Sequence, residues 1–481
     1  MATKSLVSAA LALALCGCVS LPQEPQHNLR FTARPTEGET KLLSGRDLRL
    51  GVALSGGGLR AALYSAGALR ALYEHRILPD VDVLSTVSGG GYTGYWVYTG
   101  QMRQDPQNRL HDFGSARFAD HVFPRSLCER IGDANFVPYP TMIGHALIWR
   151  TRQLYERRIG ETFGREDNSV VFHDLAKAVQ RGFPLLIVNA TVMRPAPHGW
   201  RDGLYEMTPS GSSWGGRTLA GTVADTEVSW SDSYNVPYRL GVAASGAAIA
   251  RLLYRDIPEP PGRRVKQVAL HDGGKSENLG AIALIRRGVR NIVIIDAEQD
   301  PGYAFGAYVN LKRRLRKWGG DIDLPQLDSF LVARKDRQNP PSSYFRGTAT
   351  VTPAGGRPTV SNIYYVKMSL PDDMAAEFSA RNEAEDKVVN AFHTAMDGAF
   401  HAGEFDCAAF EGAAVPDAAF FRSAVRQYSN LWNPTWRARW TSGDWALRFP
   451  QYTTFDQSMY RNQALAFVGL GYLQAFPVRI E

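Results

Sequence analysis

The sequence has few cysteines, no blocks of like charge and no recognised nucleic-acid-binding motif. Its 481 residues include four cysteines, and Cys16 and Cys18 both lie at the extreme N-terminus. Only Cys128 and Cys407 remain, so a fold held by many disulfides is excluded, and the sequence leaves open whether these two pair. The net charge of +7 is spread along the chain, and no nucleic-acid motif is recognised. We therefore expect no nucleic-acid partner, and the sequence identifies no protein partner.

Long apolar runs are also scarce, and the N-terminal run, Leu6 to Leu15, is too short to span a bilayer. It is typical of an export signal over residues 1–17. The segment Leu15-Cys16-Gly17-Cys18 resembles the bacterial lipobox, which implies acylation of Cys18 and a lipid anchor. We expect attachment to the outer membrane of a Gram-negative cell, facing the periplasm, with residues 18–47 as a tether. A plain secretory signal is the alternative.

The composition is that of a globular protein. Hydrophobic residues make up 44% of the chain and charged residues 21%, which excludes a mainly disordered or fibrous protein. The length fits two or three units, or one large α/β domain with insertions.

Apolar strands alternate with helical patterns over residues 48–300. Strands are predicted at Arg49–Leu54, Val81–Val87, Leu185–Met193, Val265–Leu270 and Asn291–Ala297, and helices at Leu59–His75, Phe172–Arg181 and Glu277–Arg287. Such alternation predicts an α/β fold with a parallel or mixed sheet covered on both faces. Residues 196–235 lack periodicity and are predicted to be an insertion. Residues 301–481 are predicted to be a helical, aromatic extension packed on the core. It carries Trp432, Trp436, Trp440 and Trp445, which suit either a lipid-facing surface or a packed cluster.

A first glycine-rich turn, Ser55-Gly56-Gly57-Gly58-Leu59-Arg60, follows the first predicted strand. Glycines let backbone N–H groups approach a ligand closely, and a helix N-terminus adds positive potential. This turn can hold a phosphate or an oxyanion, or it can be an ordinary tight turn. Dinucleotide binding is disfavoured, because the second strand ends Thr86-Val87-Ser88-Gly89 without the carboxylate that would hold a ribose.

The second turn places Ser88 at a strand end, followed by glycines, as in a nucleophile elbow. The pattern G-x-S-x-G has Thr86 at its first position here, which is a departure from the usual small residue. The alternative for Ser88 is a helix N-cap.

A third turn, His271-Asp272-Gly273-Gly274, follows another predicted strand. Asp272 could accept the serine proton if both strand ends open at one edge of a parallel sheet. His271 should point to the opposite face, because neighbouring strand residues alternate, and we interpret it as structural. The alternative for Asp272 is an ordinary Asp-Gly turn.

These three motifs, in this order, resemble the patatin-like phospholipase family, and the runs Leu54–Arg60 and Val87–Gly91 are especially similar to its cytosolic phospholipase A branch. The resemblance covers about residues 48–300. It implies a three-layer α/β/α fold and a Ser–Asp dyad of Ser88 as nucleophile and Asp272 as base. It also implies an oxyanion hole formed by the N–H groups of Gly57 and Gly58, with Gly56 as a further candidate, and contact of Arg60 with the lipid phosphate.

The activity implied by the resemblance is hydrolysis of the acyl esters of phospholipids or lysophospholipids through an acyl-enzyme, without a metal or other cofactor. Two alternatives stay open. One is a Ser–His–acid triad that uses His393 or His401, and the other is a lipid-binding or scaffold lipoprotein on the same fold, if Thr86 disables the elbow.

Overall fold

The structure is a computed structural model that describes part of the chain. The described residues are 37–104, 150–164, 170–192, 203–217, 223–229, 236–247, 255–258, 267–334, 340–352, 357–370, 418–428, 449–452, 454 and 461–480. Cys18, most of the tether, Cys128, Cys407 and the tryptophan cluster lie outside these ranges. Within them, no helix combines the length and the apolar character needed to cross a membrane.

The described strands belong to one mixed sheet. They are β1 Leu50–Leu54, β2 Val83–Val87, β3 Leu185–Val192, β4 Leu204–Thr208, β5 Gly211–Arg217, β6 Val223–Ser229, β7 Arg255–Pro258, β8 Gln267–Asp272, β9 Asn291–Asp296, β10 Asp321–Asp323, β11 Tyr344–Val351 and β12 Thr359–Lys367. The order is β10-β11-β12-β9-β1-β2-β3-β4-β5-β6, and β8 pairs with both β3 and β7. From β12 to β3 the strands run parallel, and antiparallel strands extend the sheet on both sides.

Helices cover both faces of this sheet. They are α1 Glu37–Leu43, α2 Gly58–Glu74, α3 Gly89–Gln104, α4 Arg150–Thr162, α5 Phe172–Gln180, α6 Tyr238–Ser245, α7 Ala281–Ile285, α8 Gly306–Lys317, α9 Pro325–Ala333, α10 Ala418–Tyr428 and α11 Arg461–Ala475. Successive strand side chains point to opposite faces. Val52 and Leu54 therefore join an apolar cluster with α2, α3 and α11, while Ala53 joins a second cluster with α1, α8 and α9. The predicted three-layer α/β/α fold is confirmed.

The sheet extends beyond the predicted core at both ends. Within the predicted insertion 196–235, residues 204–217 and 223–229 form the antiparallel strands β4, β5 and β6. Past residue 300, β12 pairs in parallel with β9, so part of the predicted C-terminal extension belongs to the central sheet itself. The strands β4, β5 and β6 lack a continuous apolar run, because antiparallel strands at a sheet margin have a weaker apolar pattern than buried parallel ones.

Two local predictions were wrong in their bounds. The predicted tether over 18–47 contains α1, which is held to the core by buried Glu39. The carboxylate of Glu39 lies 2.6 Å from Arg287, which also pairs with Glu206 at 2.7 Å. The helix predicted over Glu277–Arg287 is confined to α7, because Gly280 before it takes a left-handed conformation with φ 71°.

The strand β8 meets β2 end to end. Along one edge of β3, β2 pairs in parallel up to Val87 opposite Asn189, and β8 then pairs antiparallel from Asp272 opposite Ala190. The other edge of β3 is occupied by β4 over the same stretch. The expectation that Ser88 and Asp272 follow two parallel strands is thus wrong for β8, whose antiparallel course brings its C-terminal end to that of β2.

The C-terminal helix α11 packs closely on α2. A Cβ atom added to Gly67 would lie 1.9 Å from the carbonyl oxygen of Val468, so the two backbones are in direct contact. Since α2 begins at the glycine-rich turn, the C-terminal part of the chain supports the element that carries that turn.

Candidate active site

Ser88 lies in a strained turn between β2 and α3. Its φ is +47°, in the left-handed region that residues with a side chain rarely adopt, and it is 3% exposed. The first helical residue, Gly89, comes so close to the glycine-rich turn that an added Cβ would lie 2.0 Å from the carbonyl oxygen of Gly58. Such strain costs on the order of 1–3 kcal/mol and concentrates at functional sites.

Thr86 fits this turn despite its size. Its hydroxyl donates to the carbonyl of Ile187 at 3.2 Å. Its methyl group faces Gly94 on α3, where an added Cβ would stand only 3.0 Å from it. The usual pattern has a glycine at position 86, which leaves space between the strand and the helix. In this protein Gly94 on α3 leaves that space instead, so Thr86 fits without displacing Ser88.

The Ser88 hydroxyl donates directly to Asp272, with 3.2 Å between Oγ and Oδ2. The other carboxylate oxygen, Oδ1, accepts from the backbone N–H of Gly274 at 2.7 Å. This second bond orients the carboxylate, which is 9% exposed at the end of β8. The pair can pass a proton from the hydroxyl to the carboxylate without an intervening group.

Burial raises the pKa of Asp272 to about 6, because a charged carboxylate loses hydration at this position. Hydrogen bonds from Gly274 and Ser88 and the positive charge of Lys275 oppose this shift. The carboxylate therefore remains ionised at neutral pH while being more basic than an ordinary aspartate.

Histidine plays no part in the contacts of this pair within the described ranges. His271 precedes Asp272 on β8, and burial lowers the pKa of its ring to about 4, so the ring is neutral at pH 7. His393 and His401, the candidates for a triad, lie outside the described residues.

The glycine-rich turn lies beside Ser88, since a Cβ on Gly56 would stand 3.2 Å from that of Ser88. Gly57 and Gly58 have φ values of 149° and 63°. The N–H of Gly56 donates to the carbonyl of Asn278 at 2.9 Å, so it is already engaged. Among the described residues no acceptor is recorded for the N–H groups of Gly57 and Gly58. Of the three glycines predicted for the oxyanion hole, Gly56 therefore has its N–H already bound, and Gly57 and Gly58 stay as candidates.

Arg60 does not have the surroundings predicted for a phosphate ligand. It is 1% exposed, and its guanidinium donates to the backbone carbonyls of Tyr452 and of Ala297, the latter at 3.1 Å. It also reaches the hydroxyl of Thr454 at 3.4 Å. Burial lowers its pKa to about 10, so it stays charged. Arg60 thus ties the start of α2 to Ala297, which follows β9, and to the C-terminal segment. Its two terminal nitrogens are engaged by these contacts, whereas Nε has no hydrogen-bond partner among the described residues.

Two residues that sequence reasoning did not single out also contact this site. The side chain of Asn278 fills the space between the two glycine turns, with Oδ1 2.3 Å and 2.5 Å from the Cβ positions of Gly56 and Gly274. Asn278 follows the turn Asp272-Gly273-Gly274 by four residues, and this proximity in sequence was the available signal. Ser245 accepts the N–H of Ser88 at 2.8 Å, and nothing in its Ala- and Gly-rich surroundings marks it.

Comparisons with known proteins agree with this architecture. A family model described as patatin-like phospholipase matches residues 52–285. A search of curated proteins finds no match. Among solved structures, the chain is similar to human GIVD cytosolic phospholipase A2, with 11% sequence identity and a TM-score of 0.52, over 95% of this chain and 67% of that one.

Two further solved structures are more distantly similar. The same human protein in complex with methyl gamma-linolenyl fluorophosphonate has 12% identity and a TM-score of 0.46, over 92% of this chain and 60% of that one. VipD from Legionella pneumophila has 15% identity and a TM-score of 0.26, over 63% of this chain and 58% of that one. At 11% identity the likeness to the first structure concerns the fold alone. This chain spans about two thirds or less of each of those chains.

Proposed function

We propose that the protein hydrolyses the acyl esters of phospholipids or lysophospholipids, with Ser88 as nucleophile and Asp272 as base. The proposal starts from the family model described as patatin-like phospholipase, which matches residues 52–285. The observation that carries this proposal is the direct 3.2 Å contact between Ser88 Oγ and Asp272 Oδ2 in a buried, strained turn. A serine hydroxyl is a weak nucleophile until a base removes its proton, and no other base contacts Ser88 among the described residues.

The reaction begins when Asp272 takes the Ser88 proton and Oγ attacks the ester carbonyl. The carbonyl oxygen becomes an oxyanion while the new O–C bond forms. Collapse of this intermediate breaks the bond to the glycerol oxygen, which leaves with the proton held by Asp272. Water then attacks the acyl-enzyme, again giving its proton to Asp272, and Ser88 recovers its proton as the fatty acid departs.

The N–H groups of Gly57 and Gly58 are the donors proposed for the oxyanion. They lie beside Ser88 at the start of α2, where the helix N-terminus favours negative charge. Loss of one such donor typically costs about 2.7–4 kcal/mol of transition-state stabilisation. The proposed reaction requires no metal or other cofactor.

The proposed location is the cell envelope, with a lipid anchor on Cys18 holding the domain near its substrate. The lipobox-like segment Leu15–Cys18 supports this part of the proposal. An enzyme that works on lipids in a bilayer gains from being tethered, because anchoring raises its effective concentration at that surface.

The proposal is tested with purified full-length protein and a fluorescent fluorophosphonate probe, which labels activated serines. We expect labelling of the wild type and of the control Asp82→Asn, whose carboxylate contacts Arg49 and Leu50 at the other end of β2. Ser88→Ala and Asp272→Asn should be neither labelled nor active on mixed phospholipid vesicles. Mass spectrometry of the products identifies the ester cleaved. Activity that persists in Ser88→Ala would disprove the proposed nucleophile.

A further inference from the structure

Three consecutive residues at the end of α6 contact three separate parts of the candidate site. Ser245 Oγ accepts the N–H of Ser88 at 2.8 Å. The carbonyl of Gly246 accepts the hydroxyl of Tyr155 at 2.9 Å. The carbonyl of Ala247 accepts the N–H of Asp272 at 3.2 Å. One short segment thus touches the nucleophile, the base and Tyr155 on α4.

This segment lies where the sheet is interrupted. On one edge of β3 the pairing with β2 ends at Asn189, and the pairing with β8 starts at Ala190. A carbonyl at such a junction has no strand opposite it to supply a donor. The hydroxyl of Ser245, which is fully buried, donates to the Asn189 carbonyl at 2.5 Å and so takes the place of the missing strand.

The hydroxyl of Ser245 is oriented by that bond. It has one hydrogen, and because this hydrogen is directed at Asn189, its lone pairs remain for the N–H of Ser88. The N–H of Ser88 belongs to a residue in a strained left-handed conformation, so it needs a fixed acceptor to hold it there. A buried N–H without an acceptor would instead favour a relaxed turn, in which Oγ no longer points at Asp272.

We infer that Ser245 is a positioning residue that holds Ser88 in the strained conformation from which its hydroxyl reaches Asp272. The neighbouring Ala247 carbonyl holds the backbone of Asp272, so the segment 245–247 sets the separation of nucleophile and base. This inference rests on the proposed function, since it concerns the same Ser88 hydroxyl. Ser245 itself touches no reacting atom.

The test compares two buried serines in the full-length protein. Ser245→Ala removes the hydroxyl that contacts Ser88, whereas Ser65→Ala removes an equally buried hydroxyl on α2 that has no hydrogen-bond partner among the described residues. We expect Ser245→Ala to lower kcat by about 10- to 100-fold with KM changed less than about twofold, since the loss concerns alignment of the nucleophile. Ser65→Ala should stay within about twofold of wild type.

Fluorophosphonate labelling separates misalignment from unfolding. In Ser245→Ala the labelling rate should fall together with kcat, while the final extent reaches the wild-type value, because every chain is folded but reacts slowly. Tyr155→Phe serves as a second variant, because it removes the bond to Gly246 one step further away, together with the contact to the Tyr92 hydroxyl. It should lose activity less severely, by about three- to tenfold.

The outcomes distinguish this inference from the proposed function. If Ser88→Ala is inactive but Ser245→Ala labels at the wild-type rate, the positioning role is refuted and the dyad stands. Equal losses in Ser65→Ala and Ser245→Ala would likewise refute it, since the effect would then be one of packing. If Ser88→Ala stays active, the proposed function itself fails.

Discussion

Acid should switch off ester hydrolysis at a higher pH than is usual for an aspartate base. Burial raises the pKa of Asp272 to about 6, and only the ionised carboxylate can accept the Ser88 proton. Below that pKa, kcat/KM should fall about tenfold per pH unit, so that at pH 5 about one tenth of the plateau remains.

The fall of kcat/KM at low pH, called the acid limb here, should depend on the charge of Lys275. Its positive charge lowers the pKa of Asp272, so removing it in Lys275→Gln should raise that pKa and move the limb to higher pH. Lys275 is exposed, and the variant should therefore fold normally. Lys275→Arg should keep the limb in place. Arg290→Gln, which removes an exposed cation paired with Asp47 outside the site, provides the control.

The assay is kcat/KM for a short neutral ester at constant ionic strength, from roughly pH 4 to roughly pH 9. A neutral ester is used because its own charge does not change over this range. A limb near pH 4, or one that Lys275→Gln leaves unmoved, would refute the assignment of the base. A limb that disappears in His393→Ala or His401→Ala would show that a histidine takes the proton, as in a triad.

Three further predictions concern the stability of the fold, the role of Arg60 and the lipid anchor. Asp272→Asn should be more stable than wild type at pH 8 but not at pH 3.5. The pKa of Asp272 is about 6 in the folded state and an ordinary 3.8 in the unfolded state, so folding is harder once the carboxylate is ionised. This cost is absent below pH 3.8 and reaches about 3 kcal/mol of unfolding free energy above pH 6. Urea unfolding at the two pH values measures this, and an equal difference at both would contradict it. Arg60→Ala should lower turnover of phospholipid and of a short neutral ester to the same extent, because the Arg60 guanidinium contacts backbone carbonyls. A loss confined to phospholipid would instead support binding of the lipid phosphate by Arg60. Cys18→Ser should abolish metabolic labelling with a fatty acid and release the protein from membranes, and unchanged labelling would exclude Cys18 as the anchor.

The glycine turns were predictable from the sequence because their chemistry is local. A serine between a buried strand and glycines can occupy a sharp turn only if the next residues lack Cβ atoms, and Gly89 satisfies this against Gly58. The same holds for the buried strands β1, β2, β3 and β9, whose apolar runs are continuous.

Other features depend on contacts between distant parts of the chain. The antiparallel course of β8, the space that Gly94 leaves for Thr86 and the partners of Arg60 all involve segments separated by intervening elements. A sequence pattern reports which face of an element is apolar, but not which backbone group will lie opposite a given side chain.

The sequence by itself determined the residue types of the candidate site and the α/β character of the chain, because turn chemistry and hydrophobic periodicity are properties of neighbouring residues. Only the tertiary structure decided how that site is assembled: the meeting of β2 and β8 on one edge of β3, the engagement of Gly56 by Asn278 and the bond from Ser88 to Ser245. Each of these depends on a hydrogen bond whose two partners lie far apart in the chain, and the direction of such a bond is set by the packing of whole elements.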